Sequence, residues 1–64
     1  MVQYIVHQVV WRRVTAKNPL TIGTRTWIDD PRITVDRGMS DNQWDLIIQG
    51  VSTDDAGKYE CQVS

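Results

Sequence analysis

An all-β fold of short strands is what this 64-residue sequence predicts, on three observations. Apolar residues alternate with polar ones through Arg32-Ile33-Thr34-Val35-Asp36 and again through Trp44-Asp45-Leu46-Ile47-Ile48-Gln49, which is the period of a strand with one buried face. β-Branched and aromatic side chains crowd the stretch from Val2 to Val14, and such side chains suit a pleated, half-buried surface. Glycine, proline, asparagine and aspartate punctuate these runs, and no stretch of useful length carries the 3.6-residue helical period.

Size and charge bound the reading. A chain of this length makes at most one domain and buries only about 60% of its unfolded surface, so many of its kind need a disulfide, a metal or a partner. The net charge is −1 with both signs mixed along the chain, which gives no electrostatic case for nucleic acid or an anionic membrane. No apolar run approaches the roughly 20 residues of a membrane helix, and Met1 is not followed by the basic, apolar and small-residue segments of a secretory leader. Taken alone, the single cysteine points to a reduced protein or an intermolecular bridge. No internal repeat, low-complexity tract or linker is present.

The elements follow in chain order. Val2–Val6 and then His7–Val14 read as strand, with Trp11 in the second. Ala16-Lys17-Asn18-Pro19 is turn chemistry, because proline fixes its own φ and pushes the preceding residue out of the helical region. Leu20-Thr21-Ile22 and Arg25-Thr26-Trp27-Ile28 read as two short strands broken at Gly23, and Asp29-Asp30-Pro31 breaks the chain again. The alternating strand 32–36, the polar loop Arg37–Asn42 and the alternating strand 44–49 make a hairpin that Gly50 ends. Ser52-Thr53-Asp54-Asp55 reads as a one-turn helix start, with Ser52 capping and Asp55 reaching back from three residues on. In Asp55-Ala56-Gly57-Lys58-Tyr59-Glu60-Cys61, Gly57 supplies backbone angles that other residues avoid. Beyond it Tyr59, Cys61 and Val63 share one strand face, while Lys58, Glu60, Gln62 and Ser64 share the other.

This corner resembles the start of strand F in an immunoglobulin variable-type domain, where a tyrosine two residues before the second disulfide cysteine bonds back to the backbone. The resemblance covers Val2 to Ser64. Trp11 matches the strand C tryptophan, Arg32 the arginine opening strand D, and Leu46, Ile48 and Val51 an apolar trio. Val2-Gln3-Tyr4, Trp44-Asp45-Leu46-Ile47-Ile48 and Tyr59-Glu60-Cys61-Gln62-Val63-Ser64 look like stretches of the first domains of lachesin, the IgLON proteins and the insect Dpr and DIP receptors. It implies a V-type β-sandwich containing strands late B, C, C′, C″, D, E and F, with A, A′, most of B and G missing, so that residues 1–64 are a partial domain. The first cysteine of such domains lies roughly a dozen residues before the strand C tryptophan, which falls at or just before Met1. It also implies that Trp11, Tyr59 and Cys61 belong to the core with Ile33, Val35, Leu46 and Ile48, and that Arg32 and Asp55 form an ion pair at the bottom of the sandwich.

Catalysis is not expected. His7 and Cys61 are the only histidine and cysteine, and Cys61 alternates toward the core, where a thiol is inert. No cofactor or metal site is expected either: Asp29, Asp30, Asp36, Asp41 and Asp45 lack the spacing of a calcium loop. No Asn-x-Ser/Thr acceptor occurs. The expected function is recognition of another immunoglobulin-type surface protein, homophilic or heterophilic, by an extracellular cell-surface protein whose signal peptide and anchor lie outside this stretch. A soluble secreted binder, an immune-type receptor variable domain and the non-functional product of a truncated gene model are the alternatives. Alternation about Trp11 places Gln8, Val10, Arg12 and Val14 outward, and alternation about Cys61 places Glu60 and Gln62 on the same face. Leu20, Thr21 or Ile22 adjoin them, and tryptophan's enrichment at binding hot spots makes Trp27 a candidate anchor. Trp44 is expected to pack.

Overall fold

The computed structural model describes residues 8–40 and 42–63, so the expected strand at Val2–Val6, together with His7, Asp41 and Ser64, lies outside the described residues. Six strands form: β1 (Val9–Arg13), β2 (Thr21–Ile22), β3 (Arg25–Thr26), β4 (Ile33–Asp36), β5 (Asp45–Ile48) and β6 (Tyr59–Val63). A 3-10 turn at Thr53–Asp55 precedes β6. The strands make two sheets, one ordered β3-β2-β1-β6 and the other a β4-β5 hairpin, and every pairing is antiparallel.

Local chemistry explains each connection. Gly23 has φ 63° and is the first of two residues joining the Ile22↔Arg25 pair, so the glycine that breaks the apolar run is the turn of a tight hairpin. β3 is shorter than the expected strand through Ile28. The Trp27 N–H still donates to the Leu20 carbonyl at 2.8 Å, but the chain then bends through Trp27, Ile28 and Asp29 into Asp30-Pro31 and leaves the sheet. β4 and β5 pair in register from Ile33↔Ile48 to Asp36↔Asp45. Their inner residues Ile33, Val35, Leu46 and Ile48 are buried or half-buried, and their outer residues Thr34, Asp36, Asp45 and Ile47 are exposed.

The core is narrow. Val9, Leu20 and Ile33 are the buried apolar residues among those described, with Thr21 buried beside them. Trp11 is half-buried and ties the sheets together, its indole Nε1 donating to the Trp44 carbonyl at 2.9 Å. Tyr59 is half-buried as well.

One core expectation is overturned. Cys61 is a free, exposed thiol, although its register partner Trp11 places it on the inner face. The physical reason is width: the second sheet has only two strands and leaves the inner face of β6 open at Cys61 and Val63. Val51, which the sequence groups with Leu46 and Ile48 as an apolar trio, lies past the end of β5 and is exposed where Leu46 and Ile48 are half-buried.

Candidate protein-interaction face

Residues directly opposite one another in an antiparallel ladder share a face. The register therefore sets a row across the outer face of the large sheet, running Arg25, Ile22, Val10, Gln62 from β3 to β6. A second outer pair, Arg12 and Glu60, lies alongside. Val10 is flanked by Ile22 and Gln62 and is half-buried between them, as are Ile22 and Arg12, while Gln8, Val14, Glu60 and Gln62 are exposed.

Leu20 and Thr21 do not belong to this surface. Thr21 pairs with Trp11, so its side chain faces inward; it is 0% exposed, and its Oγ1 has no hydrogen-bond partner among the described residues. The Leu20 N–H donates to the Trp11 carbonyl at 2.7 Å and its own carbonyl accepts from Trp27, and between these two neighbours it is buried. Of the three expected residues 20–22, the outer face keeps Ile22.

Charges tune the face. The Arg12 Nη2 donates to the Ala16 carbonyl at 2.6 Å. Its Nε stands 3.6 Å from Glu60 Oε1, beyond hydrogen-bond reach, so the pair is loose. Gln62 Nε2 donates to the same Glu60 oxygen at 3.0 Å. At the β3 edge Trp27 is 60% exposed and, with Gln8, Ile22, Arg25 and Thr26, walls an open cavity of about 220 Å³.

A polar cluster at one end holds the scaffold. Arg32 grips Asp55 bidentately, Nη1 to Oδ2 at 2.9 Å and Nη2 to Oδ1 at 3.2 Å. It grips Asp30 in the same way, Nε to Oδ1 at 3.1 Å and Nη2 to Oδ2 at 2.9 Å. The Asp55 carboxylate also accepts the Ser52 backbone N–H at 2.9 Å, and its side chain is only 12% exposed. The Arg32 hydrogen bonds, then the Ser52 N–H, hold the Asp55 carboxyl well below the usual carboxylate range, and Arg32 likewise lowers Asp30. In return the hydrogen bonds to Asp55, then those to Asp30, raise Arg32 further above its ordinary value.

The chain then turns into β6. Tyr59 Oη donates to the Asp55 carbonyl, closing the corner from above. Gly57, at φ 138°, occupies a backbone region that favours glycine. Three contacts escaped the sequence reading. Arg13 Nη2 donates to the Ala56 and Asp54 carbonyls and its guanidinium lies over the Tyr59 ring. Arg37 stacks 3.6 Å from the Trp44 ring centroid. Asp30 joins Arg32, for which Asp-Pro-Arg carried a signal: an aspartate commonly accepts the backbone N–H two residues on, and Arg32 N–H donates to Asp30 Oδ1 at 3.0 Å.

Among the described residues no three metal-ligating side chains converge, and no helix is long and apolar enough to cross a membrane. The thiol of Cys61 is exposed, so the expectation of an inert core thiol does not hold for this structure.

Two antiparallel sheets with no α-helix among the described residues, joined through Trp11, fit an immunoglobulin-like β-sandwich. In agreement, the chain is 36% identical over 58 residues to the Caenorhabditis elegans protein named zwei Ig domain protein zig-8, a match that covers 91% of this chain. It spans about a fifth of that relative, 21% of its length. No family model matches the chain, and no solved structure matches it.

Proposed function

We propose that the chain is a variable-type immunoglobulin domain of an extracellular, cell-surface recognition protein, and that it binds another immunoglobulin-type protein through the outer face of the β3-β2-β1-β6 sheet. The variable-type reading is supported by strand order: β3, β2, β1 and β6 stand where C″, C′, C and F stand in the resembling domains, and β4 and β5 where D and E stand. The kinship with lachesin, IgLON and Dpr or DIP first domains, and a role in adhesion between neurons or epithelial cells, belong to the same proposal. An immunoglobulin-domain relative supports it at the coarser level.

The observation that carries the binding face is the row Arg25, Ile22, Val10, Gln62. It has two apolar residues at the centre and a polar one at each end, which is the anatomy of a protein interface. Trp27 at its margin adds a large exposed aromatic of the type enriched at hot spots.

Val10→Asp in the full-length ectodomain tests it. A charge at the centre of an apolar contact must be desolvated without a partner, so cell aggregation or partner binding is expected to be lost while the fold is retained. Ile47→Asp, on the outer face of the other sheet, is expected to bind as wild type does. Loss with Ile47→Asp and none with Val10→Asp would move the site to the β4-β5 face.

A further inference from the structure

The arginines are not used alike. Arg12, Arg13 and Arg32 each hold a carbonyl or a carboxylate, and Arg37 stacks on Trp44. Arg25, on the edge strand β3, is exposed and has no hydrogen bond, ion pair or ring contact among the described residues. It lines the open cavity of about 220 Å³ with Gln8, Ile22, Thr26 and Trp27, none of them acidic. The guanidinium therefore stands beside an unfilled space with its donors uncommitted.

The walls of that space are chemically mixed. Arg25 and Trp27 are two residues apart on one strand, so they share a face about 7 Å from each other. Ile22, the ladder partner of Arg25, adds apolar surface on the neighbouring strand. The backbone adds a donor and an acceptor. The Trp27 N–H donates to the Leu20 carbonyl, which makes Trp27 and Leu20 a bonded pair, and bonded and unbonded pairs alternate along an antiparallel ladder. Thr26 and Thr21 are then the unbonded pair, and the Thr26 N–H and C=O point off the free edge of β3.

Each wall suits one part of a single kind of ligand. A guanidinium fork takes a carboxylate through two parallel N–H donors. The electron-rich indole face takes the C–H groups on the less polar side of a sugar ring. An adjacent backbone donor and acceptor, with the Gln8 amide, match ring hydroxyls that both donate and accept. The volume lies below the roughly 300–1,000 Å³ of drug-sized sites, which is room for one ring rather than a chain. A peptide carboxylate is served less well, because β3 is two residues long and turns only Thr26 outward for strand addition.

We propose that this cavity at the β3 edge binds one carboxylated pyranose, a uronic acid residue of a glycan, with Arg25 on the carboxylate and Trp27 against the ring. The site is separate from the centre of the binding face, since neither Val10 nor Gln62 lines it. It is open and makes few contacts, so the affinity for an isolated sugar is weak, about millimolar.

Nuclear magnetic resonance titration of the isotope-labelled full-length ectodomain with methyl β-glucuronide tests this, read at the Trp27 indole N–H signal, which Trp27→Phe identifies by its loss. The signal is expected to move saturably. Methyl β-glucoside, the ring without the charge, and acetate, the charge without the ring, are each expected to bind about tenfold more weakly or not at all. Arg25→Gln is expected to weaken the glucuronide about tenfold, with the Trp11 and Trp44 indole signals unmoved to certify the fold. A signal that the glucuronide leaves in place overturns the proposal, as does equal binding of the glucoside, equal binding of acetate, or indifference to Arg25→Gln. A tripeptide with a free C-terminus that binds more tightly than the glucuronide also overturns it and gives the cavity to a peptide. Val10→Asp is expected to leave the sugar titration unchanged. If the glucuronide fails to bind while Val10→Asp still abolishes partner binding, the sugar site falls and the binding face stands.

Discussion

Arg32→Ala is expected to lower the thermal stability of the domain further than Arg12→Ala or Arg37→Ala, by several degrees in the midpoint of unfolding for the full-length ectodomain. Among the described residues Arg12 donates to the Ala16 carbonyl and makes a loose approach to Glu60. Arg37 donates to the Gln43 carbonyl and stacks on Trp44. Arg32 satisfies two carboxylates with four hydrogen bonds, and one of those carboxylates, on Asp55, also holds the Ser52 N–H and sits at the corner where Tyr59 is fastened. Removing the guanidinium leaves Asp30 and Asp55 facing each other without compensation, and a surviving charge costs more than the pair contributed. The pH dependence has a definite sign. Both carboxyls titrate below their ordinary value when folded, so the stability they lend is complete above about pH 4 and is lost as the pH falls through the folded values. The gap between wild type and Arg32→Ala should stay constant from neutrality to about pH 4 and narrow below it. Equal losses for the three arginines, or a gap that widens in acid, would mean that this cluster does not hold the corner.

The 64-residue chain by itself, under reducing conditions, is expected to show no sharp cooperative thermal transition. Val9, Leu20 and Ile33 are its buried apolar side chains among the described residues, while Trp11, Val35, Leu46, Ile48 and Tyr59 are covered only in part. On β6, Cys61 and Val63 face inward over a sheet too narrow to reach them. A disulfide contributes about 2–5 kcal/mol in small secreted domains whose total stability is about 5–15 kcal/mol, and the one cysteine here is a free thiol. Differential scanning calorimetry checks this. A single sharp peak from a monomeric sample would contradict it.

What was legible in the sequence was what a two-residue period and turn chemistry encode. Alternation in Trp44-Asp45-Leu46-Ile47-Ile48-Gln49 corresponds to β5 with its inner and outer residues sorted, and Gly23 marks the β2–β3 junction because a tight turn needs its positive φ. Where β3 ends was not legible. Trp27 and Ile28 carry the composition of a strand, but Asp30 turns the chain back to meet Arg32. Alternation also fails as a guide to burial when a face is only partly covered. Cys61 has the parity of a core residue and is exposed, whereas Leu20, just before β2, is buried because the backbones of Trp11 and Trp27 close on both sides of it. The side-chain contacts at the corner link residues tens of positions apart. Arg13 reaches Asp54 and Ala56 from β1, and no local pattern encodes that reach.

The most direct test of the proposed binding face is hydroxyl-radical footprinting of the full-length ectodomain, compared between its dispersed form and its form engaged on partner-bearing cells. Exposed Trp27 and Val14 and half-buried Ile22, on and beside the large sheet, are expected to lose reactivity on engagement, while exposed Ile47 and Val51 keep theirs. Protection of Ile47 and Val51 with Trp27 and Ile22 left fully reactive would contradict a binding face on the β3-β2-β1-β6 sheet.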